Sequence, residues 1–113
     1  MNYSVSEQNG IVIISLIGKI MGGPEATEIN DKFNELIDER KYKVIVDLMN
    51  VEWMNSSGLG ILIGAASVLS NNNAELRLIN VSERIKNLLK ITKLSGIFIT
   101  NNSLEEAISS FKN

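Results

Sequence analysis

The sequence contains no cysteine and no histidine. Without cysteine the chain has no disulfide, thiolate metal ligand or thiol nucleophile. Without histidine it has no imidazole ligand and none of the Ser-His or Cys-His catalytic arrangements. Asp47, Glu52 and the other carboxylates show no paired spacing of the kind that acid–base catalysis uses. We therefore predict a protein without enzymatic activity that needs neither a metal nor a cofactor.

An excess of charge of one sign is also missing, since 11 basic and 13 acidic residues give a net charge of −2. A basic surface of the kind that binds nucleic acid is therefore not expected. The first ten residues are polar and lack the charged-then-apolar order of a signal peptide. The longest apolar stretch, residues 59–69, is well short of the roughly 20 residues that span a bilayer. These features predict a cytoplasmic protein with no direct nucleic-acid partner and no membrane insertion.

What the chain does contain is enough apolar sequence for one packed domain, predicted over residues 1–113. Its 44% hydrophobic content is typical of a globular core. The dipeptide Asn9-Gly10 favours a tight hairpin turn, and Pro24 suits the first turn of a helix. The hydrophobic spacing predicts strands at residues 3–5, 11–17, 44–48, 76–79 and 97–99, and helices at 24–40, 57–70, from Ser82 onward and at 104–111. Residues 18–23 and 50–55 are predicted as connections.

The predicted order of elements, β-β-α-β-α-β-α-β-α, indicates an α/β fold. Strands that alternate with helices form a mostly parallel sheet, here a mixed sheet of four to five strands that begins with one antiparallel hairpin. Partner and ligand sites on such sheets lie beyond the carboxyl ends of the strands. The segment after the buried strand at residues 44–48 is therefore the first place to look for a site.

That segment leads into Asn55-Ser56-Ser57-Gly58, at the start of an apolar helix. Three consecutive residues suited to N-capping leave a hydroxyl beside unpaired backbone N–H groups. A phosphate there would face the positive end of the helix and accept hydrogen bonds from the backbone. The simpler interpretation is that Asn55, Ser56 and Ser57 only cap the helix, and the four-residue string taken alone favours it.

The longer string from Asp47-Leu48 through Met54-Asn55-Ser56-Ser57-Gly58-Leu59-Gly60 resembles the signature of the STAS domain family, which usually reads Asp-Ser-Ser-Gly-Leu-Gly. Gly18 and its loop, the helix from Pro24 and the string KITKLSGIF at residues 90–98 follow in family order. The resemblance is closest to single-domain anti-sigma-factor antagonists. It implies that Ser56 is a phosphoacceptor and that the unmodified protein binds an anti-sigma factor that is also a serine kinase, with a serine phosphatase as a further partner. The implied partner-binding residues are Met21, Gly22, Gly23, Asn55, Ser56, Ser57, Gly58 and Leu59.

Two positions depart from the family pattern. Asn55 stands where the family usually has aspartate, which keeps a capping side chain but removes a carboxylate. The string Gly18-Lys19-Ile20-Met21 replaces the usual Gly-Glu-Leu-Asp. Both positions are expected partner contacts, so these departures concern partner identity and kinase recognition rather than the fold.

Other features have two interpretations each. Trp53 could anchor a partner, but we predict that it packs in the core. Lys86, Lys90 and Lys93 have the spacing of one helix face, which predicts a solvated face ahead of a partner contact. Residues 21–23 form either a plain turn or a contact surface.

Two alternatives to the antagonist function remain open on the sequence. One keeps the fold and makes the domain a structural module of a stressosome-like assembly, or an accessory of a lipid or anion transporter. The other is a small nucleotide-binding domain of flavodoxin-like shape. The sequence disfavours this second alternative, because no strand is followed by Gly-x-Gly-x-x-Gly or a P-loop.

Overall fold

The computed structural model of the chain describes residues 2–111. These residues form one five-stranded sheet and four helices. The elements in chain order are β1 Asn2–Gln8, β2 Ile11–Ile20, α1 Pro24–Asp38, β3 Lys43–Met54, α2 Ser56–Asn71, β4 Glu75–Ile79, α3 Glu83–Ile91, β5 Thr100–Asn101 and α4 Leu104–Ser110.

The strands lie in the sheet in the same order as in the chain, β1-β2-β3-β4-β5. β1 and β2 are antiparallel, and all later neighbours are parallel. The hairpin between β1 and β2 turns at Asn9 and Gly10, which both have positive φ, 55° and 78°. Asn-Gly adopts this conformation at little cost. The mixed, mostly parallel α/β fold predicted from the sequence is confirmed.

The two faces of the sheet are covered unequally. On the inner face, α1, α2 and α3 pack against the apolar side chains of β2, β3 and β4, among them Ile14 and Val46. On the outer face, α4 is the only helix of the described residues that packs, and it covers Ile11, Ile13, Ile45 and Ile79. Residues of β2 alternate between the two clusters because successive side chains of a strand point to opposite faces.

α4 has only seven residues, too few to be stable alone, and it is held by the buried side chain of Arg77. The Arg77 Nε donates to the Ser110 Oγ at 2.9 Å, and the Nη2 pairs with a Glu75 carboxylate oxygen at 3.1 Å. The guanidinium carbon lies 4.5 Å from the centre of the Phe111 ring. These contacts fix the end of α4 on β4.

The strand at residues 44–48 was predicted too short. β3 continues to Met54, so residues 50–54 are part of a strand and not a connection. β2 likewise continues to Ile20, so residues 18–20 are part of a strand and not of the predicted loop. These extensions pair with each other, with Gly18 opposite Val51, Lys19 opposite Trp53 and Ile20 opposite Met54. Two register shifts leave extra residues in β3. Such bulges interrupt the regular apolar spacing on which the prediction relied.

The last strand was predicted at residues 97–99 but lies at Thr100–Asn101. Ile97 and Ile99 are 60% and 54% exposed, and only Phe98 between them is buried. The chain still turns at this point, since the Ile97 N–H donates to the Leu94 carbonyl at 3.0 Å. A run of β-branched and aromatic residues thus indicated strand propensity where the tertiary structure requires a turn.

Candidate functional site

The ends of β2 and β3 and the start of α2 meet at one edge of the sheet. Ile20 is the register partner of Met54, the last residue of β3. One residue later, the Asn55 N–H donates to the Ile20 carbonyl oxygen at 3.3 Å. The carboxyl ends of both strands are therefore held beside the first turn of α2.

Asn55 is the N-cap of α2. Its backbone is extended, with φ −103° and ψ −179°, and its Oδ1 accepts a hydrogen bond from the Gly58 N–H at 2.7 Å. Ser56 and Ser57 are the first two residues of the helix, and both are exposed. Within residues 2–111, no protein atom accepts a hydrogen bond from the backbone N–H of Ser56 or Ser57. The first turn of α2 thus presents one satisfied amide, two free amides and two hydroxyls.

The loop of residues 21–23 packs directly against this turn. Gly22 has a φ of 84°, and a Cβ at that position would lie 2.9 Å from the Ser57 carbonyl oxygen. The contact therefore requires glycine, because any side chain would meet the backbone of Ser57. Met21, at the start of the loop, is 51% exposed. Residues 21–23 and 55–57 form one continuous surface, which we call the helix-mouth surface.

Gly58 and Leu59 were expected in the partner-binding set, but both are buried. A Cβ on Gly58 would lie 2.0 Å from the Ile20 carbonyl oxygen, so the helix can approach β2 only with glycine there. Leu59 is 1% exposed and belongs to the inner core. These two residues support the first turn of α2 from the core side, and neither is exposed to a partner.

The prediction that Trp53 packs in the core is wrong, since Trp53 is 37% exposed. Its neighbour Met54 points to the inner core, so Trp53 faces the opposite side of the sheet.

The prediction that Lys86, Lys90 and Lys93 share one helix face is also wrong, because α3 ends at Ile91 and Lys93 follows with a φ of 62°. Within α3, Lys86 pairs with Glu83 at 3.6 Å, and Lys90 is exposed.

We also searched the described residues for a metal site, a cavity and a membrane-spanning helix. Residues 2–111 contain no group of three or more acidic side chains that could hold a metal ion. A cavity of about 540 Å³ lies elsewhere, between α2 and residues 97–99, and none of the helix-mouth residues lines it. Over the same described range, no helix has the length and apolar content to cross a membrane.

The fold and the site define a small α/β domain whose conspicuous feature is an exposed helix N-terminus at the carboxyl edge of the sheet. The model of the STAS domain matches residues 2–107, and the chain belongs to that family. An anti-sigma-B factor antagonist of Staphylococcus epidermidis is 35% identical over 78 residues, which are 69% of this chain and 72% of the relative.

Solved structures show the same fold. A candidate anti-sigma factor antagonist from Thermotoga maritima superposes with a TM-score of 0.87 at 19% identity and covers 98% of this chain and 95% of its own. The Bacillus cell fate determinant SpoIIAA in its phosphorylated form superposes with a TM-score of 0.74 at 20% identity and covers 98% of this chain and 100% of its own. At these identities the structures support the fold.

Proposed function

We propose that this protein is an anti-sigma-factor antagonist that acts by binding and is switched off by phosphorylation of Ser56. In its unmodified form it binds an anti-sigma factor, which is also a serine kinase, through the helix-mouth surface. This binding releases the sigma factor. The kinase then modifies Ser56, and a serine phosphatase restores the binding form in the cytoplasm. The protein itself catalyses no reaction.

The observation that carries this proposal is the exposed Ser56 hydroxyl beside two free backbone amides in the first turn of α2. A phosphate on that hydroxyl adds a charge of roughly −1.5 to −2 and three acceptor oxygens. The amides and the positive end of the helix dipole both favour an anion there. The modified chain therefore keeps its fold while the chemistry of its surface changes.

The same phosphate opposes docking. A partner that covers the helix-mouth surface must remove water from the dianion, which is costly unless the interface supplies opposite charge. The named relatives support the class of partner, because those matched at 32–35% identity are anti-sigma-B factor antagonists. Modification at a serine in the first turn of the helix is thus a suitable way to release the partner.

The test is to incubate the protein with each purified anti-sigma factor of its source organism, with and without ATP. Mass spectrometry should place the phosphate on Ser56, and calorimetry should show affinity at least about tenfold weaker for the modified form. Ser56→Ala should bind but accept no phosphate, and Ser56→Asp should bind weakly. Ser57→Ala is the matched control, since it removes the adjacent exposed hydroxyl and should leave modification at Ser56 intact.

Two results would contradict the proposal. One is phosphate on another residue, and the other is equal affinity of the modified and unmodified forms. If no anti-sigma factor binds, isolation of the chain with a large assembly or a transporter would favour the structural-module alternative.

A further inference from the structure

Lys19 and Trp53 form a pair on the outer face of the sheet, next to the helix-mouth surface. They are register partners at the ends of β2 and β3. The following pair, Ile20 and Met54, is buried in the inner core. Since side chains alternate along a strand, Lys19 and Trp53 face the other way.

No element within residues 2–111 covers this end of the outer face. The outer apolar cluster that packs on α4 consists of Ile11, Ile13, Ile45, Ile79 and the residues of the helix, and it contains neither Lys19 nor Trp53. Lys19 is exposed and forms no ion pair with any residue in the described range. Ile17, two residues before Lys19 on the same face, is 37% exposed. A tryptophan, an isoleucine and an unpaired cation therefore lie together in contact with solvent.

This pair is continuous with the helix-mouth surface. Trp53 precedes Ser56 by three residues, so their Cα atoms are at most about 11 Å apart, given 3.8 Å per residue. Lys19 precedes Met21 by two residues. A partner docked over Ser56 with an interface of standard size, about 800 Å² per protein, would extend across this distance.

We propose that Lys19 and Trp53 belong to the surface that binds the anti-sigma factor and determine which one is accepted. This inference rests on the proposed function. Trp53 supplies the large apolar contact that concentrates binding energy in protein interfaces. Lys19 supplies a positive charge beside it. The matching partner carries an apolar pocket for the indole ring with a carboxylate at its border, and a partner with a basic side chain there is rejected.

The experiment measures affinity of the unphosphorylated protein for the anti-sigma factor that the wild-type chain binds. Trp53→Ala should weaken binding by about tenfold or more, as expected of an interface anchor. Lys19→Glu should weaken it by a similar factor, and Lys19→Ala should reduce the loss of affinity that added NaCl causes in the wild type.

Ile91→Ala and Lys90→Glu are the matched controls. Ile91 is 77% exposed and Lys90 is exposed. Both lie at the end of α3, which connects the parallel strands β4 and β5. Because such a helix runs from the carboxyl end of one strand back to the amino end of the next, the end of α3 lies away from the helix-mouth surface. These variants should bind within about twofold of wild type, a difference below 0.5 kcal/mol. Thermal midpoints of all variants verify that each is folded.

The result that overturns this inference is wild-type-like affinity and salt dependence in both Trp53→Ala and Lys19→Glu. Failure of the proposed function is a separate result, because the wild-type chain would then bind no anti-sigma factor. Unfolding of Trp53→Ala leaves Lys19→Glu, a change at an exposed side chain, as an independent test of the same surface.

Discussion

At the scale of single residues, glycine decides how closely α2 approaches β2. Gly58 lies in the first turn of the helix, where a Cβ would be 2.0 Å from the Ile20 carbonyl oxygen. Gly60, two residues later, has no atom within 4 Å of the corresponding position. The two glycines lie on either side of Leu59 but have opposite structural roles.

We expect Gly58→Ala to destabilise the protein by about 3 kcal/mol, because the methyl group meets backbone atoms that cannot rotate away. Gly60→Ala should instead stabilise it by up to about 1 kcal/mol, since alanine has the higher helix propensity. Urea unfolding of both variants measures the two changes. Equal midpoints for the two would show that the approach of α2 to β2 is looser than described.

At the scale of elements, α2 is the central helix of the inner layer, but it is not buried all round. Leu59, Leu62, Ala65 and Leu69 are almost fully buried, whereas Ile63 is 39% exposed. Ile63 therefore does not pack beneath the sheet with its neighbour Leu62. Because α2 contains no charged residue, its sequence does not show which side of the helix is buried and which is exposed.

Leu62→Ala should cost about 2–5 kcal/mol, because it opens a cavity in the inner core. Ile63→Ala should cost at most about 1 kcal/mol, since part of that side chain is already in water. Chemical denaturation compares the two substitutions at adjacent positions of one helix. A Leu62→Ala variant as stable as Ile63→Ala would contradict the assigned orientation of α2.

At the scale of the whole molecule, the proposed switch needs no change of fold. The Cα radius of gyration is 12.9 Å, close to the value of about 13 Å expected for a folded domain of this length. Ser56 lies on the surface of this body and not between packed layers. Under the proposed function, phosphorylation of Ser56 would therefore change a surface and leave the core intact.

We expect the melting temperature of phospho-Ser56 protein to equal that of the unmodified protein or to exceed it by a few degrees. An anion at a helix N-terminus contributes about 0.3–1 kcal/mol, and a contribution of about 1 kcal/mol shifts the midpoint of a domain this size by roughly 4 °C. Differential scanning calorimetry at low and high salt measures the shift, which should shrink as salt screens the interaction. A large decrease in midpoint would mean that phosphorylation acts by unfolding.

The sequence by itself determined the fold class, because the periods of its apolar residues report which side of each element is buried. It also predicted that the N-cap lies among Asn55, Ser56 and Ser57, since capping is a local interaction, and the structure places it at Asn55. The predictions from the sequence were wrong where the regular spacing of apolar residues is interrupted. The bulged ends of β2 and β3 were missed because Asn50 and Glu52 are polar, and strand β5 was displaced by three residues.

Only the tertiary structure decided which residues form the surface. Gly22 meets Ser57 and Gly58 meets Ile20 across more than 30 positions of sequence, and no local pattern encodes these approaches. The same packing buried Leu59 and exposed Trp53, against the expectation for both. An apolar residue is consistent with either environment, and the neighbours brought to it by the sheet determine which one it occupies.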